Sequence, residues 1–245
     1  MYFQPAPFNE LNFAKRISED DWMARNTTSH GYFLRGYEAL MLVHHALRQA
    51  RVKPGDILDF GCGHGCVARM LKAQYPGARI HGQDVNPDWL QWCRETLGIE
   101  TVQSPERIAD VDMPPDRYDA IWVGSVFTHI PERNFDHLLA QLVRALKPRG
   151  LLVFTTAGHP VRTGFTPGQE KLISRDGGEA ALRDYDASGY GFTPYVGGRY
   201  EEWGRTLTSF ATVHEKIRQT ATRMILFQEG GWGRRQDVYA VQREG

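Results

Sequence analysis

The chain has 245 residues, which is long enough to bury a full hydrophobic core as one domain. Its 29 lysines and arginines balance 29 aspartates and glutamates, so no net field attracts nucleic acid or an anionic membrane. Three cysteines without paired spacing, no long apolar run and no signal-peptide pattern lead us to expect a cytoplasmic protein.

The first part of the chain alternates predicted helices and strands. Apolar residues at helical spacing predict a helix over 29–50 that leads into the fold. The elements that follow are a strand (56–60), a helix (67–74), a strand (78–83), a helix (87–97), a strand (118–124), a helix (131–146), a turn (147–150) and a strand (151–155). This alternation predicts a Rossmann-like, doubly wound α/β fold with a mostly parallel sheet.

The last third of the chain is less regular. From about 159 to 206 the sequence is rich in Gly, Pro, Tyr and charge, and a long connection without regular structure is typical of a functional lid. A helix over 209–220, a strand over 224–228, a turn at Gly230-Gly231 and a strand over 237–241 predict an antiparallel last strand. We therefore expect a single domain over 1–245, with an N-terminal cover helix at about 29–50 and a lid-like insertion at about 159–206.

The segment 57–65 contains the strongest functional motif. Asp59 ends the first predicted strand, and Gly61, Gly63 and Gly65 lie in the turn that follows. Glycine adopts backbone angles that other residues avoid, and it lets a ligand lie directly against the main chain. The segment therefore predicts a binding site for a nucleotide-like cofactor.

Two cofactor classes compete for this turn. A dinucleotide site requires the order G-x-G-x-x-G, but Cys66 occupies the position of the third glycine counted from Gly61. Asp59 would also repel a pyrophosphate, whereas it suits the positively charged headgroup of S-adenosylmethionine. The residues thus favour S-adenosylmethionine, and an NAD-dependent dehydrogenase is a minor alternative.

The segment Leu58-Asp59-Phe60-Gly61-Cys62-Gly63-His64-Gly65 resembles the first motif of the class I S-adenosylmethionine-dependent methyltransferases, and the likeness extends from about 56 to 156. The resemblance implies that residues of the turn border the methionine part of the cofactor, and that the acid after the second strand holds the ribose hydroxyls. The residues so implied are Asp59, Gly61, Cys62 and Gly63 for the methionine part, and Asp84 with the adjacent Val85 for the ribose.

Further cofactor contacts follow from the same resemblance. In that family the loop after the third strand contacts adenine, and here this loop carries Ser104 in place of a more usual acidic residue. Gly124 and Ser125 lie at the end of the family's fourth strand, which is the predicted strand 118–124. Arg35 and Tyr32 on the leading helix could cover the cofactor carboxylate, although a solvated arginine is an equal alternative. Asp59 could instead cap the following helix.

Two histidines are candidates for a general base. His129 and His159 follow the fourth and fifth strands, and a near-neutral pKa suits proton transfer. A hydrogen-bonded structural histidine is the favoured alternative at both positions. The aromatic residues of the insertion either line a substrate pocket or form a core of their own; they are Tyr185, Tyr190, Tyr195, Tyr200 and Trp203. Cys62 and Cys66 are expected to be packing residues, without metal.

The segments 125–129 and 232–238 resemble small-molecule and sugar-modifying members of the family. The sequence therefore predicts methyl transfer from S-adenosylmethionine to an oxygen or nitrogen of a small molecule or sugar, without a nucleic-acid or membrane partner. A methyltransferase acting on protein or nucleic acid, and a non-catalytic binding module, are the alternatives. The acceptor and the oligomeric state do not follow from the sequence.

Overall fold

The computed structural model describes residues 5–197 and 202–245. The helices in this part of the chain are α1 (Trp22–Arg25), α2 (Ser29–Ala50), α3 (Ala68–Gln74), α4 (Pro87–Trp92), α5 (Glu132–Ala145), α6 (His159–Gly164), α7 (Arg175–Ser188) and α8 (Phe210–Arg218). The strands are β1 (Asp56–Phe60), β2 (Arg79–Asp84), β3 (Glu100–Gln103), β4 (Tyr118–Val123), β5 (Leu146–Thr156), β6 (Tyr190–Pro194), β7 (Gly204–Thr208), β8 (Thr222–Trp232) and β9 (Gln236–Arg243).

Seven strands form one sheet in the order β3-β2-β1-β4-β5-β9-β8. The strands from β3 to β5 are parallel, and β9 is antiparallel to both β5 and β8. This arrangement confirms the predicted doubly wound fold with an antiparallel last strand. The strand order reverses between β1 and β4, and ligands of such sheets bind in the crevice at that point, beyond the carboxyl ends of the strands.

Apolar layers cover both faces of the sheet. On one face α2 and α3 pack against the strands through residues such as Leu40 and Met70, which are fully buried. On the other face α5 and α8 enclose a core that includes Phe154 and Tyr239, whose rings stack with centroids 5.2 Å apart. Because both faces are covered, the central strand β4 and the second half of β5 are nearly continuous apolar runs, whereas the edge strand β3 is mostly polar and exposed.

The predicted elements of the first half match the structure closely. The helix 29–50 and the strand 56–60 have the bounds that the sequence indicated. Side-chain caps explain two of the helix starts: Thr28 accepts a hydrogen bond from the N–H of Gly31, and Asn86 caps α4. The helix predicted over 87–97 is α-helical only to Trp92 and continues as a π-helical turn over Cys93–Leu97.

The insertion at 159–206 does contain regular structure, so the expectation of an irregular connection was wrong. Helices α6 and α7 lie within it, and β6 pairs antiparallel with β7 in a separate two-stranded sheet. Apolar side chains give it a small core of its own, formed by Ala157, Val161, Phe165, Ile173 and Leu207. The sequence indicated these elements only weakly. Helix α7 carries two glycines near its start, and the short strands β6 and β7 are stabilised by pairing with each other, which the sequence does not reveal.

Two predicted turns lie inside strands. The chain reverses after Trp232 and not at Gly230-Gly231, because β8 continues through both glycines with a register shift between Gln228 and Trp232. The N–H of Gly230 donates to Asp237 Oδ1 at 2.8 Å, which holds this irregularity against β9. Similarly, the turn predicted at 147–150 is part of β5, at the point where the register between β4 and β5 shifts.

None of the helices within residues 5–197 and 202–245 is long and apolar enough to cross a bilayer.

Candidate active site

The glycine turn after β1 lies against the end of β2. The N–H groups of Gly61 and Cys62 donate to the carbonyl oxygen of Gln83 at 2.8 and 3.1 Å. Gly61 and Gly63 have φ values of 74° and 52°, which favour glycine. A Cβ on Gly61 would lie 2.5 Å from Val126 Cγ2, whereas a Cβ on Gly63 would meet no atom within 4 Å. Close packing thus requires glycine at 61, and the open side of the turn is at Gly63.

Asp84 ends β2 and faces this turn. Its Oδ2 accepts the N–H of Gly63 at 2.9 Å, and its Oδ1 accepts the N–H of Asn86 at 3.1 Å. The side chain is buried, and this burial raises the pKa of the carboxyl group. Val85 follows it and is half-buried. The acid and the glycine turn that the sequence singled out are therefore in direct contact.

Asp59 lies beneath the turn and is completely buried. Its Oδ2 accepts a hydrogen bond from the N–H of Ala68, the first residue of α3, at 3.0 Å. Burial raises the pKa of Asp59 to about 7, and the charge of Asp84 acts in the same direction. The helix-capping contact that the sequence offered as an alternative is thus present.

Ser104 follows β3 and extends the site along the sheet edge. Its N–H donates to the carbonyl oxygen of Asp84 at 2.8 Å. Its hydroxyl is buried and has no hydrogen-bond partner. Because an unpaired buried polar atom costs about 1–3 kcal/mol, this hydroxyl is suited to a ligand that supplies the missing partner.

Gly124 and Ser125 form the turn after β4. Ser125 has a φ of 63°, in the left-handed region that residues with a side chain seldom adopt. Its N–H donates to Thr155 Oγ1 at 2.9 Å, and its Oγ accepts a hydrogen bond from Gln236 Nε2 at 2.6 Å. Thr155 Oγ1 in turn donates to Gln236 Oε1 at 2.6 Å. These three hydrogen bonds, here named the Ser125 ring, join the ends of β4 and β5 to the start of β9.

Arg35 is held by contacts within the protein. Its Nη1 donates to Glu38 Oε2 at 2.8 Å, and the guanidinium lies against Gly233 in the turn between β8 and β9. The carbonyl oxygen of Arg35 accepts a hydrogen bond from Trp232 Nε1 at 3.0 Å. Tyr32 on the same helix is fully buried. These contacts fasten α2 to the last hairpin, and a cofactor contact of Arg35 stays a prediction.

Arg69 on α3 belongs to the site, although sequence reasoning did not identify it. The side chain is 1% exposed, and its Nη1 donates to the carbonyl oxygens of Ala14 and Arg16 at 2.9 and 2.8 Å. Its Nε and Nη2 donate to the carbonyl oxygens of Gly65 and His64. Arg69 thereby ties the N-terminal segment to the glycine turn. The one signal in the sequence was a cation within an apolar helical stretch.

A cavity of about 400 Å³ opens beside the glycine turn. It lies between the N-terminal segment and α4, and its lining includes His64, Trp89 and Trp92 together with Ser18 and Asp20. Burial lowers the pKa of His64, while the nearby charge of Asp21 acts in the opposite direction. The N-terminal segment therefore forms one wall of the space next to the turn.

His129 lies in the connection after β4, six residues beyond the end of that strand. Its Nδ1 is 3.0 Å from the carbonyl oxygen of Gly204 and 2.6 Å from the hydroxyl of Tyr195. Burial lowers its pKa to about 4. His159 is the exposed first residue of α6, and its Nε2 is 3.5 Å from Thr163 Oγ1. The contacts of His129 favour a structural role.

The aromatic residues of the insertion divide between two cores. Tyr185 and Tyr195 pack against the small core of the insertion. Tyr190 belongs to the main core beneath the sheet, where its hydroxyl donates to the carbonyl oxygen of Ile130 at 2.9 Å, and Trp203 packs against that core. Tyr200 lies outside the described residues.

The three cysteines are buried free thiols. The Sγ atoms of Cys62 and Cys93 approach the carbonyl oxygen of Gly63, and Cys66 Sγ donates to that of Tyr32 at 3.2 Å. Burial raises the pKa of the Cys66 thiol to about 12. Over residues 5–197 and 202–245, no group of three or more His, Cys, Asp or Glu side chains is arranged to hold a metal ion.

Residues 57–150 match a family model described as a methyltransferase domain. A fatty-acid O-methyltransferase of Mycolicibacterium smegmatis is 32% identical over 122 residues, which are 49% of this chain and 43% of that protein. A malonyl-[acyl-carrier protein] O-methyltransferase of Acetivibrio thermocellus is 29% identical over 104 residues, which are 42% of this chain and 36% of that protein. The chain thus spans about two fifths of the length of these relatives.

Solved structures share the fold over most of the chain. Streptomyces venezuelae DesVI matches with a TM-score of 0.64 and 15% identity, covering 94% of this chain and 100% of that chain. A 1,6-didemethyltoxoflavin-N1-methyltransferase of Burkholderia thailandensis, with bound S-adenosylhomocysteine, matches with a TM-score of 0.57 and 15% identity, covering 86% and 79%. Residues 57–150 thus match a methyltransferase domain, and most of the chain shares the fold of these solved structures.

The residues of the crevice fit S-adenosylmethionine. The ribose of S-adenosylmethionine carries two hydroxyls, and Asp84 supplies a carboxylate beside the open side of Gly63. Its adenine ring carries hydrogen-bond acceptors, and Ser104 supplies a buried hydroxyl without a partner. The polar groups at this edge are thus of the kinds that an adenosine requires.

Proposed function

We propose that this protein catalyses methyl transfer from S-adenosylmethionine to an oxygen or nitrogen of a small molecule. The observation that carries the proposal is the contact between Asp84 and the N–H of Gly63, next to the unpartnered hydroxyl of Ser104. Methyltransferases that act on fatty acids and on malonyl groups are among the relatives. They support a small-molecule acceptor, and a sugar belongs to the same class.

In this proposal each part of the cofactor has its own residues. Asp84 and Val85 hold the ribose, Ser104 contacts adenine, and Arg35 reaches the cofactor carboxylate. The methionine part is bordered by Asp59, Gly61, Cys62 and Gly63 on one side and by Gly124 and Ser125 on the other. The bound cofactor supplies an electrophilic methyl group that needs no covalent help from the protein.

The chain's own contribution is then to orient the acceptor and to exclude water. Holding two reactants in the reactive orientation lowers the activation free energy by roughly 7–11 kcal/mol. The insertion at 159–206 serves as the cover over the acceptor. Two hydrogen bonds of β7 support this assignment, because Thr206 N–H donates to Thr128 and Thr208 N–H donates to Ala157 at the carboxyl ends of β4 and β5.

A general base is part of the proposal only for an acceptor that must lose a proton. His129 and His159 are the candidates near the ends of β4 and β5. For either histidine in this role, replacement by alanine lowers turnover and leaves cofactor affinity unchanged.

We further propose a cytoplasmic enzyme without a nucleic-acid partner, supported by the balance of 29 basic and 29 acidic residues.

Calorimetric titration with S-adenosylhomocysteine and, separately, with NAD tests the cofactor. We expect micromolar or tighter binding of S-adenosylhomocysteine and no measurable binding of NAD. Ser104→Ala should weaken the binding of S-adenosylhomocysteine by about 5- to 10-fold, since one hydrogen bond is lost. Thr208→Val is the matched control, because it also removes a buried hydroxyl without a partner. Binding of NAD alone would refute the proposal.

A further inference from the structure

The Ser125 ring has a defined direction. Ser125 N–H donates to Thr155 Oγ1, the Thr155 hydroxyl donates to Gln236 Oε1, and Gln236 Nε2 donates to Ser125 Oγ. Each bond within the ring uses one donor, and two donors are left over: the hydroxyl proton of Ser125 and the second N–H of the Gln236 amide. Of these two, the Ser125 hydroxyl is the one on the turn after β4.

The opposite orientation of the Gln236 amide is unfavourable. If its oxygen and nitrogen were exchanged, Ser125 would donate to Gln236, and Thr155 Oγ1 would accept two hydrogen bonds. The proton of the Thr155 hydroxyl would then need another acceptor, but Thr155 is 0% exposed and none of the described residues offers one. Leaving a buried donor unpaired is costly, whereas Ser125 is only half-buried. Of the two hydroxyls in the ring, the one free to donate elsewhere is therefore that of Ser125.

The ring also holds the Ser125 backbone in place. The left-handed conformation of this residue persists only where its surroundings hold it. Both its N–H and its side chain are bonded to the ring, and its carbonyl oxygen accepts a hydrogen bond from Thr128 Oγ1 at 2.6 Å. Strands β5 and β9 thus fix the direction of the hydroxyl on the turn after β4.

The surroundings offer little help to an acceptor that must lose a proton. Nδ1 of His129 lies between Gly204 and Tyr195, and its depressed pKa makes it a weak base. His159 is exposed at the start of α6. A carboxylate needs no base, and of its two oxygens one takes the methyl group while the other accepts a hydrogen bond.

We infer that Thr155 and Gln236 are positioning residues that direct the Ser125 hydroxyl toward a carboxylate of the methyl acceptor, an inference that rests on the proposed function. The acceptor is thus a small molecule with a carboxylate group. One of its oxygens forms the new O–CH₃ bond as the methyl–sulfur bond breaks, and the electron pair of that bond stays on sulfur. No proton is transferred, and the products are a methyl ester and S-adenosylhomocysteine.

The test uses the full chain with S-adenosylmethionine labelled in its methyl group and the small-molecule fraction of the source cells. Carboxyl methyl esters release labelled methanol in alkali, whereas methyl ethers and methylamines do not. We expect alkali-labile label from the wild-type protein. Alkali-stable label, or no transfer by a protein that binds S-adenosylhomocysteine, would overturn the carboxylate assignment. Absence of S-adenosylhomocysteine binding would instead overturn the proposed function.

Four variants test the ring. Ser125→Ala removes the donor, Thr155→Val opens the ring, and Gln236→Glu preserves shape but makes the Ser125 hydroxyl donate into the ring. Each should lower ester formation roughly 10- to 100-fold, since a hydrogen bond to a charged group is lost. In Thr155→Val and Gln236→Glu the dissociation constant of S-adenosylhomocysteine should stay within about twofold of wild type. Thr155→Ser retains the hydroxyl and should restore the rate.

Thr220→Val, just after the end of α8, and Gln228→Glu, at an exposed position of β8, are the matched controls, because they make the same chemical changes outside the ring and should leave the rate unchanged. Wild-type rates in Ser125→Ala and Gln236→Glu would overturn the role of the ring. Equal losses in Thr155→Val and Thr155→Ser would do so as well, because they would indicate a packing effect and not the loss of the hydroxyl.

Discussion

The carboxylate of Asp84 accepts a hydrogen bond from the backbone N–H of Gly63 at 2.9 Å, across 21 residues of chain. The acid at the end of β2 is thereby held at the open side of the glycine turn. Asp84→Asn keeps the shape but removes the charge that strengthens hydrogen bonds to two hydroxyls. We expect the dissociation constant of S-adenosylhomocysteine to rise about 10-fold or more, measured by calorimetry.

The control for this substitution is Asp112→Asn, which changes an exposed acid paired with Arg144 far from the turn. It should bind S-adenosylhomocysteine like the wild-type protein. Unchanged affinity in Asp84→Asn would remove Asp84 from the cofactor site.

Asp237 should make the folded state less stable at high pH. Its side chain is 1% exposed, and burial raises its pKa from 3.8 to about 6, with Glu229 acting in the same direction. Because the unfolded chain ionises first, wild-type stability should fall as the pH rises from about 4 through 6, by at most about 3 kcal/mol. Asp237→Asn, which can still accept the N–H of Gly230, should be more stable than wild type at pH 8 and equally stable at pH 4, as measured by urea unfolding. A variant less stable than wild type at pH 8 would contradict this account.

His129 should weaken the fold in acid. Its pKa is lowered from 6.5 to about 4, so the unfolded chain takes up a proton before the folded state does. The stability linked to this histidine is complete above about pH 6.5 and is lost as the pH falls toward 4, by roughly 3 kcal/mol. His129→Gln should therefore show a shallower loss of stability between pH 7 and 4.5 in urea unfolding. The control is His45→Gln, at an exposed position, which should lose stability in acid as the wild-type protein does. If His129→Gln also followed the wild-type curve, the burial of His129 would not be the cause of the loss.

Arg69 should hold the N-terminal segment against the glycine turn. Arg69→Met removes the donors to the carbonyl oxygens of Ala14 and Arg16, so this segment should detach more often. We expect limited trypsin digestion to cleave after Lys15 and Arg16 at least several-fold faster than in wild type. Arg183→Met, at an exposed position, should not change the rate of that cleavage. Equal cleavage rates in all three proteins would show that Arg69 does not fasten the segment.

The glycine turn and its acid could be predicted from sequence because their chemistry is local. Glycines at 61 and 63 after an apolar strand indicate a tight turn, and an acid after the next strand must lie beside it in a parallel sheet. The turn and its acid needed only the order of the strands to be right. Ser104 was instead implied by the resemblance to the methyltransferase family, since the sequence pattern predicted no strand before it.

The Ser125 ring could not be predicted from the sequence in the same way. Its hydrogen bonds join residues 30, 81 and 111 positions apart, and they depend on the register of β9 against β5. The alternation of side chains along a strand puts Gln236 and Asp237 on opposite faces, but it does not indicate that Gln236 meets Ser125 and Thr155. The hydrogen bonds by which Arg69 holds the N-terminal segment could not be predicted either, because their acceptors are backbone carbonyl groups, which every residue type carries.

Transfer of labelled methyl from S-adenosylmethionine into a fractionated extract of the source cells tests the central claim most directly. The extract is separated after reaction into small molecules, glycans, protein and nucleic acid. The account predicts label in small molecules or glycans that depends on the protein and is reduced in Asp84→Asn. Label confined to protein or nucleic acid would contradict the proposed acceptor class, and the absence of any transfer would contradict the proposed activity.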